Sequence, residues 1–99
     1  MEYCRFFLKE EQIKHLQRKY KDVPVVKKAL ATKKQDLFKM PEDDFLQLWD
    51  WFIGRTVLTL ENDEPTEETY LFEGIVDFLS AQDQAPEKYN PMYDEIDKQ

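Results

Sequence analysis

The sequence predicts an all-α fold, a small bundle of four to five helices. Apolar residues recur at spacings of three and four along most of the chain, as they do on the buried face of a helix. Proline or threonine followed by acidic residues marks two helix starts, and only two glycines interrupt the pattern. With 99 residues, 41% of them hydrophobic, the chain is long enough for one domain with one core.

The first helix is predicted over residues 10–20, where Ile13, Leu16 and Tyr20 form a narrow apolar stripe. Two glutamates in its first turn suit the positive N-terminal end of a helix. The apolar segment before it, residues 3–8, is too short to assign from periodicity. Both a brief strand and an extended lead-in fit it.

Two short helices are predicted next, over residues 24–31 and 33–39. Pro24 suits the first turn of the former, and residues 32–35 match the capping-box pattern that opens the latter. A single helix through Met40 is the alternative, but it places two charged side chains within its apolar arc. We therefore expect a break between the two segments.

A wide apolar helix is predicted over residues 42–53. A proline and three acids mark its start, and its main apolar residues cover about 140° of its surface. These residues are Phe45, Leu48, Trp49, Phe52 and Ile53. Leu46 and Trp51 widen the arc to about 220°, which indicates either a central helix or one that presents a face to a partner. Gly54 is expected to end the helix, and residues 56–60 fit either a short strand or a helical continuation.

The last core helix is predicted over residues 66–82, with Thr66 as its N-cap and two glutamates behind it. After residue 84 the composition becomes acidic and aromatic. The sequence therefore predicts one helical domain over residues 1–84 and a C-terminal tail over residues 85–99. The tail either docks on the domain as a short helix or becomes ordered on a partner.

Charge is divided unevenly along the chain, whose net charge is −7. Residues 1–40 carry eleven Lys or Arg against five acids, and residues 41–99 carry three against sixteen. Either the two parts face and neutralise each other in the fold, or one of them is a binding surface. A net acidic protein favours a basic partner.

The sequence predicts a non-enzymatic protein with no cofactor and no metal site. A pair formed by the single cysteine, Cys4, and the single histidine, His15, lacks a local activating environment. Glu11 and His15 offer an ion only two ligands, and the acidic loop 61–66 lacks the glycine of a calcium-binding turn. One cysteine, no recognisable signal peptide and no long apolar run predict a cytoplasmic protein without a membrane partner.

The leading hypothesis is a small protein-binding module, a regulator, inhibitor or adaptor, that uses an acidic surface and aromatic anchors. The candidate residues lie on the wide apolar helix, at the start of the acidic helix and in the tail. They are Trp51, Glu64, Glu67, Glu68, Tyr89, Met92, Tyr93 and Ile96. The expected partner is a protein with a basic surface, and self-association as a homo-oligomer is a further alternative.

Two other functions are weighed against this hypothesis. The basic first third of the chain suggests a nucleic-acid-binding protein, since short helices between residues 22 and 40 fit a helix-turn-helix. The candidate residues for this alternative are Lys14, Arg18, Lys21, Lys27, Lys28 and Lys34. The third hypothesis is an accessory subunit that completes the active site of another chain.

Overall fold

The computed structural model describes residues 2–98 and confirms the predicted small helical bundle, which includes a two-stranded sheet. In chain order the elements are β1 (Tyr3–Phe7), α1 (Glu10–Lys19), α2 (Pro24–Thr32), β2 (Leu37–Pro41), α3 (Glu42–Leu58), α4 (Glu67–Gln84) and α5 (Pro86–Asp97). None of these helices combines the length and apolar character that a membrane span requires.

The N-terminal segment is a strand, one of the two alternatives that the sequence allowed. β1 pairs antiparallel with β2, so that Cys4 lies opposite Met40 and Phe6 lies opposite Phe38. The rings of Phe6 and Phe38 stack with their centroids 5.1 Å apart. This pairing ties the start of the chain to the segment just before α3.

The predicted helix over residues 33–39 is wrong, because this segment forms a turn and strand β2. Gln35 has a φ of 57°, in the left-handed region that a right-handed helix does not use. Within β2, Phe38 and Met40 are buried and Lys39 between them is exposed, which is the two-residue alternation of a strand. The helix-turn-helix interpretation therefore loses its second helix.

Thr32 ends α2 instead of capping a second helix. Its hydroxyl donates a hydrogen bond to Ala29 O at 2.9 Å and accepts one from Lys39 N at 3.3 Å. The threonine that the capping-box pattern singled out thus closes one helix and links it to β2.

Helix α3 continues to Leu58, so the prediction that Gly54 ends it is wrong. Gly54 has no positive φ, and a Cβ built there would have no atom within 4 Å. Of the two alternatives for residues 56–60, the helical continuation holds as far as Leu58. The following turn is held by the Thr59 hydroxyl, which donates to Arg55 O at 2.6 Å.

Helices α3 and α4 lie side by side in opposite directions and carry the centre of the core. Thr59 and Thr69 join the end of α3 to the start of α4, with 2.9 Å between their hydroxyl oxygens. Phe52 and Phe72 are fully buried where the two helices meet. Their rings lie 6.3 Å apart and belong to a cluster that also includes side chains of β1, α1 and α2.

Helix α5 packs on the sheet through a second, smaller cluster. Tyr93 is buried there with Phe7 and Leu37, and the Tyr93 and Phe7 rings are 5.0 Å apart. Arg5 on β1 forms ion pairs with Asp94 at 2.6 Å and Asp97 at 3.2 Å. The division into a domain over residues 1–84 and a separate tail stays a prediction.

Candidate functional site

Exposed apolar side chains concentrate on α3. Seven large hydrophobic residues are exposed within residues 2–98, and four of them lie on this helix. They are Leu46, Ile53, Val57 and Leu58. Single exposed hydrophobic residues are ordinary, but a concentration on one helix is typical of an interaction surface.

Three of these residues form one line along the outer side of α3. Leu46, Ile53 and Val57 follow one another at spacings of seven and four. Their side chains therefore lie within an arc of about 40° around the helix axis. Leu48 and Phe52 mark the buried face and lie roughly 100–180° away on the same wheel. We call the three exposed residues the α3 stripe; it is about 16 Å long at 1.5 Å per residue.

A groove of about 340 Å³ lies beside the start of the α3 stripe, between α3 and the C-terminal half of α4. Its lining residues are Phe45, Leu46 and Trp49 from α3 and Leu79, Ser80, Asp83 and Gln84 from α4. Trp49 is half-buried and also packs against the central core. The indole is therefore held in a fixed position while part of it faces the groove.

Carboxylates dominate the charge of the two helices that form this surface. α3 carries four acidic residues and α4 carries five, against one cation, Arg55. Arg55 lies on the opposite side of α3, where its guanidinium stacks over the Trp51 ring at 5.2 Å and the Tyr20 ring at 5.9 Å. It therefore does not neutralise the acids around the α3 stripe.

Most of these carboxylates make no ion pair within residues 2–98. Glu68 pairs with Lys19 at 2.8 Å and is also hydrogen-bonded to His15, and Asp44 pairs with Lys28 at 3.6 Å. Four exposed acids lie near the α3 stripe or the groove. None of them has an ion-pair partner in the described chain. They are Asp50, Glu73, Asp77 and Asp83. The surface thus combines apolar side chains with uncompensated negative charge.

Trp51, the first of the predicted anchors, lies elsewhere. It is half-buried, and its ring meets Tyr20 and Phe72 edge-on with centroids 5.1 and 5.6 Å apart. Together with Arg55 these contacts make Trp51 part of the packing between α1, α3 and α4. The structure does not bring it together with the α3 stripe.

The predicted tail residues are turned mainly towards the protein itself. Tyr93 is buried, and Tyr89 and Ile96 pack against the same small cluster. The Tyr93 hydroxyl donates to Gln82 Oε1 at 2.8 Å. Met92, 46% exposed, is the one of the four predicted tail anchors that faces solvent.

The predicted acidic residues divide into two kinds. Glu64 and Glu67 are exposed and make no ion pair within residues 2–98. Glu68 accepts hydrogen bonds from His15 Nε2 at 2.7 Å and Lys19 Nζ at 2.8 Å. Burial raises the pKa of Glu68, but these hydrogen bonds outweigh it and hold the pKa below its usual value.

His15 is positioned by its neighbours and does not meet Cys4. Arg18 Nη2 lies 3.2 Å from His15 Nδ1, and because a guanidinium only donates, this geometry fits a neutral ring with the proton on Nε2. Cys4 and His15 line two different grooves. Burial, assisted by the nearby Glu42, raises the pKa of the Cys4 thiol, which keeps it in its less reactive form.

The candidate residues for nucleic-acid binding are spread over α1, α2 and the turns. Several of them contact other side chains or main-chain groups of the same chain. Lys14 pairs with Glu10 at 3.0 Å, Lys28 with Asp44, and Lys34 Nζ donates to Asp97 O at 3.4 Å. The other three candidates are Arg18, which contacts His15, and Lys21 and Lys27, which are exposed.

Sequence reasoning did not identify the α3 stripe, although its signal was present. The 220° apolar arc exceeded what one buried face needs, but the arc itself does not tell which part faces the core. In the described part of the chain no three His, Cys, Asp or Glu side chains form the group that a metal site needs. Comparison of the chain with protein-family models, curated proteins and solved structures found no match.

Proposed function

We propose that this chain is a small, non-enzymatic protein-binding module whose docking surface is the α3 stripe with the groove beside it. The observation that carries the proposal is the concentration of four exposed apolar side chains on α3, next to carboxylates that make no ion pair within residues 2–98. Such a surface is costly to leave in water and becomes favourable when a partner covers it.

The apolar part of the surface supplies the attraction. Leu46, Ile53 and Val57 are 51%, 41% and 64% exposed, so roughly half of each side chain remains to be buried. Full burial of such a side chain contributes about 1.5–3 kcal/mol, and each of the three therefore contributes about 1 kcal/mol on docking. Trp49, held by the core, adds a rigid aromatic contact at the groove.

The acidic part of the surface selects the partner. Exposed carboxylates attract a positively charged surface and accelerate its encounter, mainly at low salt. The same charges repel a polyanion. This favours a basic protein over a nucleic acid at this face, and a regulator, inhibitor or adaptor is the role that fits a chain acting through such contacts.

A partner-capture experiment with matched variants tests the proposal. The immobilised chain, Ile53→Asp and Met92→Asp are exposed to a lysate of the source cells, and retained proteins are identified by mass spectrometry. Ile53 and Met92 are similarly exposed, at 41% and 46%, but lie on different helices, α3 and α5. Circular dichroism checks that each variant is folded.

We expect at least one basic protein to be retained by the wild type and by Met92→Asp and lost by Ile53→Asp. Equal retention by all three chains would contradict the α3 surface. Loss in Met92→Asp alone would move the binding surface to α5.

A further inference from the structure

We infer that the partner segment is a basic amphipathic helix of about three turns, lying along the groove between α3 and α4. This inference rests on the proposed function and specifies what the α3 surface binds. It follows from the hydrogen bonding of the surface, its dimensions and the placement of its charges.

The backbone of this surface favours a helix over an extended peptide. The surface is formed by two helices, α3 and α4, whose main-chain groups are bonded within each helix. A peptide that binds as a β-strand pairs with the free edge of a sheet, and this face, which is formed by two helices, offers none. A helical peptide forms its main-chain hydrogen bonds within itself. It therefore requires only side-chain contacts from the surface.

The shape of the surface also suits a helix. α3 and α4 run side by side, and a third helix can seat its ridge of side chains in the groove between two others. The groove is lined by the small side chain of Ser80 on its α4 side and by Trp49 on its α3 side. The stripe from Leu46 to Val57 is about 16 Å long, which corresponds to about eleven helical residues.

Charge is placed on both sides of the apolar line. Asp50 stands four residues after Leu46 and three before Ile53, so it borders the α3 stripe on the side away from the groove. On the α4 side, Glu73 and Asp77 share the face of Ser80 at spacings of seven and three, and Asp83 lines the groove itself. A partner helix with Lys or Arg on both flanks of an apolar stripe matches this arrangement.

A second copy of the chain is a poor match for the same surface. Its α3 stripe would bring its own Asp50 and α4 carboxylates against those of the first copy, and the chain has a net charge of −7. Like charges across an interface oppose association. The inference therefore assigns the groove to a different, basic chain.

Designed peptides test this assignment without knowledge of the natural partner. The probe is a fluorescently labelled peptide of about 18 leucine and lysine residues in which leucine recurs at helical spacing. One comparison peptide has the same composition in strict alternation, as in a strand, and another has glutamate in place of lysine. Fluorescence anisotropy measures affinity, and amide chemical shifts locate the binding surface on the protein.

We expect the helical lysine peptide to bind with shifts on α3 and the C-terminal half of α4, and the two comparison peptides to bind about tenfold more weakly or not at all. Ile53→Asp is expected to weaken the binding about tenfold, and Met92→Asp to leave it within about twofold. Asp83→Asn is expected to weaken it about two- to fivefold and to reduce its dependence on salt.

Equal binding of the alternating peptide, binding of the glutamate peptide, or shifts on another face would overturn the helix inference. So would a dimer that sedimentation detects and Ile53→Asp dissociates, since the groove would then belong to a second copy. If no peptide binds while partner capture still depends on Ile53, the helix inference fails and the proposed function stands. If capture is also indifferent to Ile53, both fail.

Discussion

The Tyr93 hydroxyl donates a hydrogen bond to Gln82 Oε1 at 2.8 Å, in the interior between α5 and β1. The same oxygen accepts from Phe7 N at 2.6 Å, and the Gln82 amide donates to Phe7 O at 2.9 Å. The amide of one buried glutamine on α4 thus provides hydrogen-bond partners for the N–H and C=O of Phe7. These groups lie on the outer edge of β1, where a third strand would otherwise pair. It joins β1, α4 and α5 in one network.

This network predicts unequal costs for two substitutions. Gln82→Leu leaves the buried Phe7 N and O without partners and is expected to lower the free energy of unfolding by about 2–4 kcal/mol. Tyr93→Phe removes one donor but leaves Gln82 bonded to Phe7, so a loss of about 1 kcal/mol is expected. Urea denaturation followed by circular dichroism measures both. A loss for Tyr93→Phe as large as that for Gln82→Leu would contradict the central role of Gln82.

Tyr93 also predicts how stability changes in alkaline solution. Burial, together with the nearby Tyr89, raises the pKa of Tyr93 from 10.0 to about 12. The folded chain therefore favours the neutral phenol, so this contribution to stability is complete below pH 10 and is lost as the pH rises through about 12. Thermal unfolding over this range should show a smaller alkaline loss for Tyr93→Phe than for the wild type. An identical loss in both proteins would exclude Tyr93 as its source.

At the other end of α4, Glu68 predicts a loss of stability in acid. Burial raises its pKa, but hydrogen bonds from Lys19 and His15 lower it more. The pKa of Glu68 therefore lies below the ordinary 4.5. Its contribution is therefore present above pH 4.5 and is lost as the pH falls through the folded-state value. Glu68→Gln is expected to lower the Tm at neutral pH by roughly 2–5 °C, since solvent screens part of the interaction.

Glu67→Gln is the matched control for this prediction, because Glu67 is exposed on the same helix and makes no ion pair within residues 2–98. Glu67 also stands in the first turn of α4, so Glu67→Gln loses only the favourable charge at the helix N-terminus, and its Tm should fall by less than that of Glu68→Gln. Below pH 4.5 the Tm values of Glu68→Gln and the wild type should converge. A constant difference between them at every pH would show that the carboxylate charge is not responsible.

The sequence predicts most of the helices because their signals are local. Thr66 caps α4 as expected: its hydroxyl accepts a hydrogen bond from Thr69 N. Strand β2 could not be found in this way, because its stability comes from pairing with β1, whose partner residues are thirty or more positions away in the chain. β2 itself has only five residues and alternates only from Phe38 to Met40, which is too short a pattern to outweigh the capping pattern that precedes it.

The candidate surface was missed for a related reason. The spacing of the apolar residues predicts how wide the apolar arc on α3 is. It does not predict which part of the arc faces the core, because that depends on where α4 packs. Ile53 was expected within the main apolar face and is 41% exposed, whereas Trp51 was expected at the edge and packs against Tyr20 and Phe72. A rotation of the buried face by a fraction of a turn is enough to exchange an anchor for a packing residue.

Gly54 offers a prediction about α3 itself. It lies inside the helix, it has no positive φ, and a Cβ there would meet no atom within 4 Å. Gly54→Ala therefore reduces the freedom of the unfolded chain without a clash in the folded one, and is expected to raise the free energy of unfolding by about 0.5–1 kcal/mol. Urea denaturation checks the gain, and the reverse change Ala81→Gly, at an exposed position of α4, should cost a similar amount.

Because Gly54 is not part of the α3 stripe, the alanine variant should also bind the helical peptide as the wild type does. A lower denaturation midpoint for Gly54→Ala would mean that this position requires glycine for a reason outside the helix.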